Sequence, residues 1–354
     1  MKDAVVHGSI SEEERAAFAA RGLSLLDLSA SLNPYGPHPH VVRAARRAAV
    51  DRYPEADAGQ LRAAYAAAHS LNPDSVLVGS GSSELIYLAT RAAAKPGCVG
   101  LVLGPTFGEY ARAICAAGMR VKELNARPPA FDFDVIAAVA EIERLRPAIA
   151  FVCNPNNPTG RMWRSEDIER LTGAVSRHGG WTVVDEAYAD FADRTCAPVA
   201  PAGGRITLRS LTKLHAIPGL RLGFAIAPPD IIGRIAALQP PWAVSAPAIA
   251  GGLQALQERD FAARSIRRIV RDRSRLARAL RGGGLNVVDS SANFVLVRVG
   301  DAFRFRRALM GRGFVVRDCT SFGLPEYVRV AIPRASQVER LATAMLCVHE
   351  EAAL

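Results

Sequence analysis

From about residue 75 the chain alternates short, continuously apolar runs with stretches of helical periodicity. The runs are 75–80 (SVLVGS), 98–104 (CVGLVLG), 148–153 (AIAFVC), 181–187 (WTVVDEA), 205–210 (RITLRS) and 220–227 (LRLGFAIA). Between them, segments such as 84–94 (ELIYLATRAAA) and 165–179 (SEDIERLTGAVSRHG) repeat apolar residues at helical spacing. Strands apolar on both faces, separated by helices, predict a mainly parallel sheet covered on both sides. After QPPW at 239–242 the texture changes. A long helical region runs to about Arg281, followed by the strand-like runs 293–299 (NFVLVRV), 313–318 (GFVVRD) and 327–332 (YVRVAI), and a final helix. The expectation is an α/β protein with a large domain over 33–245. A smaller α+β domain combines 1–32 with 246–354.

Bulk properties narrow the class. A chain of 354 residues suits two cored domains. No apolar run reaches the roughly 18 residues of a membrane span, and the opening MKDAVVHGSISEEERAAF lacks the pattern of a secretory signal. A cytoplasmic protein without a membrane partner is expected. The six cysteines, at 98, 115, 153, 196, 319 and 347, are scattered, so free thiols are expected and no metal site. The net charge of +10 would suit a nucleic-acid binder. Much of the excess, however, lies on one helical face, Arg264, Arg268, Arg271, Arg275 and Arg278, opposite the apolar stripe Ile266, Ile269, Val270, Leu276 and Leu280. No aromatic residues interleave with these arginines, so a solvated helix face is expected and no nucleic-acid partner.

In an open parallel sheet, ligands sit at the carboxyl ends of the strands, and five local sequences fall there or on the later strands. Gly79-Ser80-Gly81-Ser82-Ser83-Glu84 follows a strand and opens a helix, where backbone N–H groups and the dipole favour a phosphate. A serine-rich helix cap has the same appearance. Asn154-Pro155-Asn156-Asn157-Pro158-Thr159-Gly160 is rich in turn formers but is rarer than a plain turn. Asp185-Glu186-Ala187-Tyr188 ends a strand with a carboxylate that can face a ligand or cap a helix. Ser210-Leu211-Thr212-Lys213 sets a lysine among hydroxyls, where it can form a Schiff base. Arg221, eight residues later, can grip a phosphate bidentately. Beyond residue 96 the only lysines are Lys122 and Lys213, so an arginine-rich chain retains a primary amine here. The fifth element is the pair Arg317 and Arg329, which would suit a substrate with two anionic groups.

In this order and spacing, these segments resemble fold-type I pyridoxal-phosphate (PLP) enzymes of the class I/II aminotransferase superfamily, over about residues 26–345. The resemblance implies the aspartate-aminotransferase fold and PLP as cofactor. Lys213 would be the Schiff-base lysine and Asp185 the partner of the pyridinium nitrogen, with Tyr188 and Asn157 on the phenolic oxygen. Ser82, Ser83, Ser210, Thr212 and Arg221 would hold the cofactor phosphate. In PTFGEY, Phe107 matches the aromatic that stacks on the ring, with Tyr110 as its rival. Tyr53, in RYPEADAGQLR, matches a tyrosine that reaches the neighbouring subunit's cofactor, which implies a homodimer with shared sites.

Two related families compete, and both act on small phosphorylated amino compounds. Histidinol-phosphate aminotransferases share LNPYGP, the YP…LR segment and the two arginines. Threonine-phosphate decarboxylases of cobalamin synthesis are more similar in SLTKLHAIPGLRLG, QPPWAV, RDCTSFGLPEYVRVA and DLSASLNPYGP. The expectation is therefore decarboxylation of threonine phosphate to (R)-1-amino-2-propanol phosphate, with transamination as the alternative. Arg329 matches the α-carboxylate arginine, Arg317 is expected on the substrate phosphate, and His7 and Asn33 are expected to assist. His7-Gly8 resembles the start of the decarboxylases' HGG, although Ser9 departs from that pattern.

Overall fold

The computed structural model describes residues 10, 12–19, 25–192, 201 and 203–353. A two-residue strand, β1 (Leu26–Asp27), precedes the strands of the central sheet: β2 (Val76–Gly79), β3 (Val99–Gly104), β4 (Arg120–Asn125), β5 (Ile149–Cys153), β6 (Trp181–Asp185), β7 (Arg205–Arg209) and β8 (Gly223–Ile226). Five further strands follow: β9 (Asn286–Val288), β10 (Phe294–Arg298), β11 (Phe314–Val315), β12 (Arg317–Asp318) and β13 (Tyr327–Ala331).

The central sheet has seven strands in the order β2-β8-β7-β6-β5-β3-β4. All neighbours run parallel except β8, which is antiparallel to both β2 and β7. All six apolar runs contribute strands to it. β2, β3, β5, β6 and β8 are buried along their whole length, consistent with cover on both faces. The seventh strand, β4 (RVKELN), is an edge strand with four exposed positions in six. It needs no continuous apolar run, so the pattern of runs does not reveal it.

A four-stranded sheet, β12-β13-β10-β9, is antiparallel throughout. The run GFVVRD, expected as one strand, divides at Val316. β11 pairs in parallel with β1, whereas β12 pairs with β13. One segment thus serves two sheets, because the chain just ahead of Ser29 supplies a partner for its first half. The arginine-rich helix Arg259–Gly282 buries Ile269, Leu276 and Leu280. Arg264, Arg268, Arg271, Arg275 and Arg278 are exposed, so the solvated face is observed. The apolar cluster behind this helix also takes in Leu28, Tyr188, Phe191 and Leu214, which brings the central sheet's loops against the smaller sheet. Among the described residues, no helix is long and apolar enough to cross a membrane.

Candidate active site

The carboxyl ends of β2, β5, β6 and β7 open onto one cavity of about 650 Å³. Its lining carries Lys213, Arg221, Arg317 and Arg329 against a single carboxylate, Asp185. The cavity is therefore built for anions.

At one end, β2 turns into the helix Gly81–Ala93. The Glu84 carboxylate accepts from the Ser80 N–H at 2.7 Å and fixes this turn. Gly81 has φ +81°, and a Cβ there would lie 2.6 Å from Arg221 Nη2. The guanidinium thus lies over the helix start in space that only glycine leaves open. Ser82, Ser83, Ser210 and Thr212 line the same end. Ser210 caps the four-residue helix Leu211–Leu214, its Oγ accepting from the Thr212 N–H at 3.2 Å. The Thr212 hydroxyl donates to the Leu222 carbonyl at 3.3 Å, which leaves its oxygen as an acceptor.

Asp185 ends β6 and is 4% exposed. Its Oδ2 accepts from the Tyr110 hydroxyl at 2.8 Å and its Oδ1 from the Ala187 N–H at 3.0 Å. Burial raises its pKa, and Tyr110, the Ala187 amide and the Lys213 charge oppose that shift. Tyr110 is itself fully buried and stacked on Phe151, with ring centroids 4.8 Å apart. Tyr110 and the half-buried Phe107 both line the cavity, and the Tyr110 hydroxyl is committed to Asp185. The Lys213 ammonium lies 5.7 Å from the centre of the Tyr188 ring.

The NPNNPTG segment is more than a turn. Asn154 accepts from the Trp163 N–H at 2.9 Å, Asn156 donates to the Pro105 carbonyl at 3.0 Å, and Asn157 accepts from Arg329. Arg329 also donates to the Ser29 carbonyl at 2.7 Å. Across the β12–β13 ladder Arg329 stands directly opposite Arg317, so both side chains leave the same face. Arg317 donates to Ser321 Oγ at 2.6 Å and lies 5.5 Å from the centre of the Phe322 ring. Both arginines are over 90% buried. Burial and the neighbouring Arg329 charge lower the pKa of Arg317.

The cavity thus gathers Ser82, Ser83, Phe107, Asn157, Asp185, Tyr188, Ser210, Thr212, Lys213, Arg221, Arg317 and Arg329. It does not include Asn33, whose side chain is committed elsewhere. Its Nδ2 donates to the Leu214 carbonyl at 2.7 Å, its Oδ1 accepts from the Tyr35 N–H at 2.9 Å, and its own N–H donates to the Lys213 carbonyl. Asn33 therefore supports the lysine helix and does not reach a substrate directly. Tyr53 is 79% exposed, its ring tilted against Trp242 with centroids 4.7 Å apart, and is not part of the lining. His7 lies outside the described residues. Sequence reasoning missed Ser31, whose buried hydroxyl has no partner among the described residues, and Thr320, Ser321 and Phe322 on the turn after β12. The last three lie in the TSFG stretch between the two arginines, and that position was the available signal.

The chain is similar to known proteins along most of its length. Residues 24–345 match the family model described as aminotransferase class I and II. A histidinol-phosphate aminotransferase of Symbiobacterium thermophilum is 34% identical over 328 residues, covering 91% of this chain and 90% of that one. The crystal structure of L-threonine-O-3-phosphate decarboxylase from Porphyromonas gingivalis superposes with a TM-score of 0.80 at 26% identity, covering 91% and 99% of the two chains. Aspartate aminotransferase from Thermus thermophilus has the same fold, with a TM-score of 0.81 at 25% identity over 96% and 97% of the chains. With a match that spans most of its length, the chain belongs to the class I and II aminotransferase family.

Proposed function

We propose that the chain is a PLP-dependent aminotransferase for a small phosphorylated amine, of the histidinol-phosphate type. The cofactor is pyridoxal phosphate, and four features of one cavity suit it: the Gly81–Arg221 phosphate cradle, the Asp185 carboxylate, the Lys213 amine and the flat wall of Phe107. When bound, that group supplies an aldehyde that captures amines and a ring that draws electrons from the captured carbon. Arg221, Ser82, Ser83 and Ser210 hold its phosphate. Asp185 sets a negative charge against the ring nitrogen, with Tyr110 and the Ala187 amide holding that carboxylate in place. Tyr188 and Asn157 serve the phenolic oxygen. Lys213 would supply the amine that meets the aldehyde and the base that moves the proton at the substrate's Cα.

The observation that carries the substrate class is the buried, cross-strand pair Arg317 and Arg329. Two guanidinium groups beyond the one at the cofactor phosphate suit a substrate phosphate, and equally the two carboxylates of an amino donor such as glutamate. Curated relatives described as histidinol-phosphate aminotransferases support transamination over the decarboxylation expected from local motifs. Decarboxylation of threonine phosphate remains a second reading. The segments SLTKLHAIPGLRLG and RDCTSFGLPEYVRVA favour it, as does the likeness to the Porphyromonas enzyme. The outcome depends on which Cα bond the arginines hold perpendicular to the ring, a positioning effect of one substrate rotation. The exposed Tyr53–Trp242 pair supports a second copy of the chain meeting this surface.

A product assay tests the reading. Histidinol phosphate with 2-oxoglutarate should yield glutamate, and threonine phosphate should release no CO₂. Release of CO₂ from threonine phosphate without glutamate formation would replace the first reading with the second.

A further inference from the structure

Away from the cavity, three ligating side chains converge where two helices meet. His38 caps the helix Pro39–Arg46, His40 lies in its first turn, and Glu258 joins the helices Ala246–Gln257 and Arg259–Gly282. Glu258 Oε1 lies 3.0 Å from His40 Nδ1 and 3.4 Å from His38 Nδ1. The ligating atoms of all three residues lie within 4.8 Å of one another. The His38 and Glu258 side chains are 21% and 16% exposed, and His40, at 54%, is the open side. Phe261 packs on His38 with ring centroids 5.2 Å apart, and Gln254 donates to Glu258 Oε1 at 2.8 Å.

We propose that His38, His40 and Glu258 bind a borderline divalent cation of the zinc class, at a site separate from the active-site cavity. Two observations carry this. The first is spacing: bonds of roughly 2.0–2.1 Å in a tetrahedral site put ligand atoms about 3.3 Å apart, close to the 3.4 and 3.0 Å that separate Glu258 Oε1 from the two imidazole nitrogens. The second is the lone pair of His38. Its Nδ1 accepts only a long contact from the His40 N–H at 3.4 Å and so carries a lone pair, which a cation beside Glu258 Oε1 would take over from that weak contact. Two acceptors then face each other, and a cation between them would turn that repulsion into coordination. The donor set of two imidazoles and one carboxylate suits zinc and leaves a fourth position for water.

The site would act as a clamp. It would join segments 218 residues apart in the chain. Residue 38 lies five positions beyond Asn33, whose amide groups hold the carbonyls of Lys213 and Leu214. Gly36, between them, packs on the backbone of His215. A cation at His38 would therefore stiffen the loop that supports the lysine helix. The scattered cysteines gave no hint of such a site, because none of its ligands is a thiol.

The test uses the PLP-loaded protein with its accessible thiols blocked. Zinc is titrated against a chromophoric chelator, with magnesium as the control. The wild type should take up one equivalent of zinc per chain at micromolar affinity or better, ignore magnesium, and melt at a higher temperature with zinc present. A His38→Asn/His40→Asn double variant should bind at least about tenfold more weakly and lose the thermal shift. If the double variant fails to fold, His40→Asn alone serves, since that side chain is the most exposed of the three. Absence of micromolar zinc binding in the wild type overturns the proposal, and so does equal affinity in wild type and folded variants.

Discussion

The two ends of the cavity hold positive charge by different means. At the Arg221 end the charge is spread over a helix start, several hydroxyls and one guanidinium that remains exposed. Most of these groups are set by local turns. At the Arg317–Arg329 end two full charges are buried side by side on neighbouring strands. Uncharged acceptors, Asn157 and the Ser29 carbonyl, hold Arg329, and Ser321 accepts from Arg317. An anion arriving there relieves repulsion as well as forming hydrogen bonds, because desolvated like charges disfavour each other's charged form. The first end is suited to retain a permanent guest, the second to select among visitors.

The sharpest way to separate the two ends is to remove Lys213 between them. Lys213→Ala should lower turnover by about 10³-fold or more while the fold and the phosphate cradle persist. Borohydride should no longer fix the cofactor to the chain, as read by intact-protein mass, and fixation that survives would point to a different amine.

Asp185→Asn should cost about 10²–10³-fold in kcat with the cofactor retained, because both ends of the cavity keep their charges. Turnover near wild type would remove Asp185 from the chemistry.

At the other end, Arg317→Ala should cost on the order of 10–100-fold in kcat/KM for a phosphorylated substrate, the worth of one bidentate charged contact. It should change use of the unphosphorylated analogue little, whereas Arg329→Ala should also impair substrates that carry a carboxylate. Equal losses on both substrates in Arg317→Ala would mean that the two arginines act as one undivided field.

A smaller effect is expected at Tyr110. Its hydroxyl donates to Asp185 and favours the carboxylate form. Tyr110→Phe should raise the Asp185 pKa further, so the acid limb of the kcat profile should move to higher pH with only a several-fold loss at its plateau. An unmoved acid limb would show that the Ala187 amide and Lys213 suffice.

The smallest expected effect concerns stability under the lysine helix. Burial lowers the His215 pKa from 6.5 to about 4. The unfolded chain then binds more protons in that window, so stability is intact above pH 6.5 and declines as pH falls towards about 4. The full loss is about 3 kcal/mol at most. His215→Leu should flatten this decline in denaturant melts at pH 7 and pH 5, and identical slopes would assign the acid sensitivity elsewhere.

How much of this could be read in advance varies with the distance over which each feature is encoded. The central sheet was legible because its strands are buried on both faces and so read as unbroken apolar runs. β4 was not, since a half-exposed edge has no such signature. The break at Val316 depends on a strand nearly 290 residues earlier, β1. In the site, Asp185 is the last residue of β6 and Lys213 lies four residues past the end of β7, and local motif marks both. Phe107 and Tyr110 both line the cavity, and what separates them, the full burial of Tyr110 against Phe151, is set by packing between elements. The supporting work of Asn33 spans 181 residues, and the junction of Asn157 with Arg329 spans 172. No local pattern carries either.

The lysine helix has only four residues, Leu211–Leu214, too few to nucleate alone. Two of its carbonyls are closed by Asn33, across 181 residues to Leu214. During synthesis at roughly 5–20 residues per second, the segment around Asn33 emerges about 10–40 s before its partner exists. Lys213 therefore takes its working orientation late, after the sheet strands ahead of it have been made. A nascent chain would contain the phosphate cradle's first half well before the lysine that could hold a cofactor covalently.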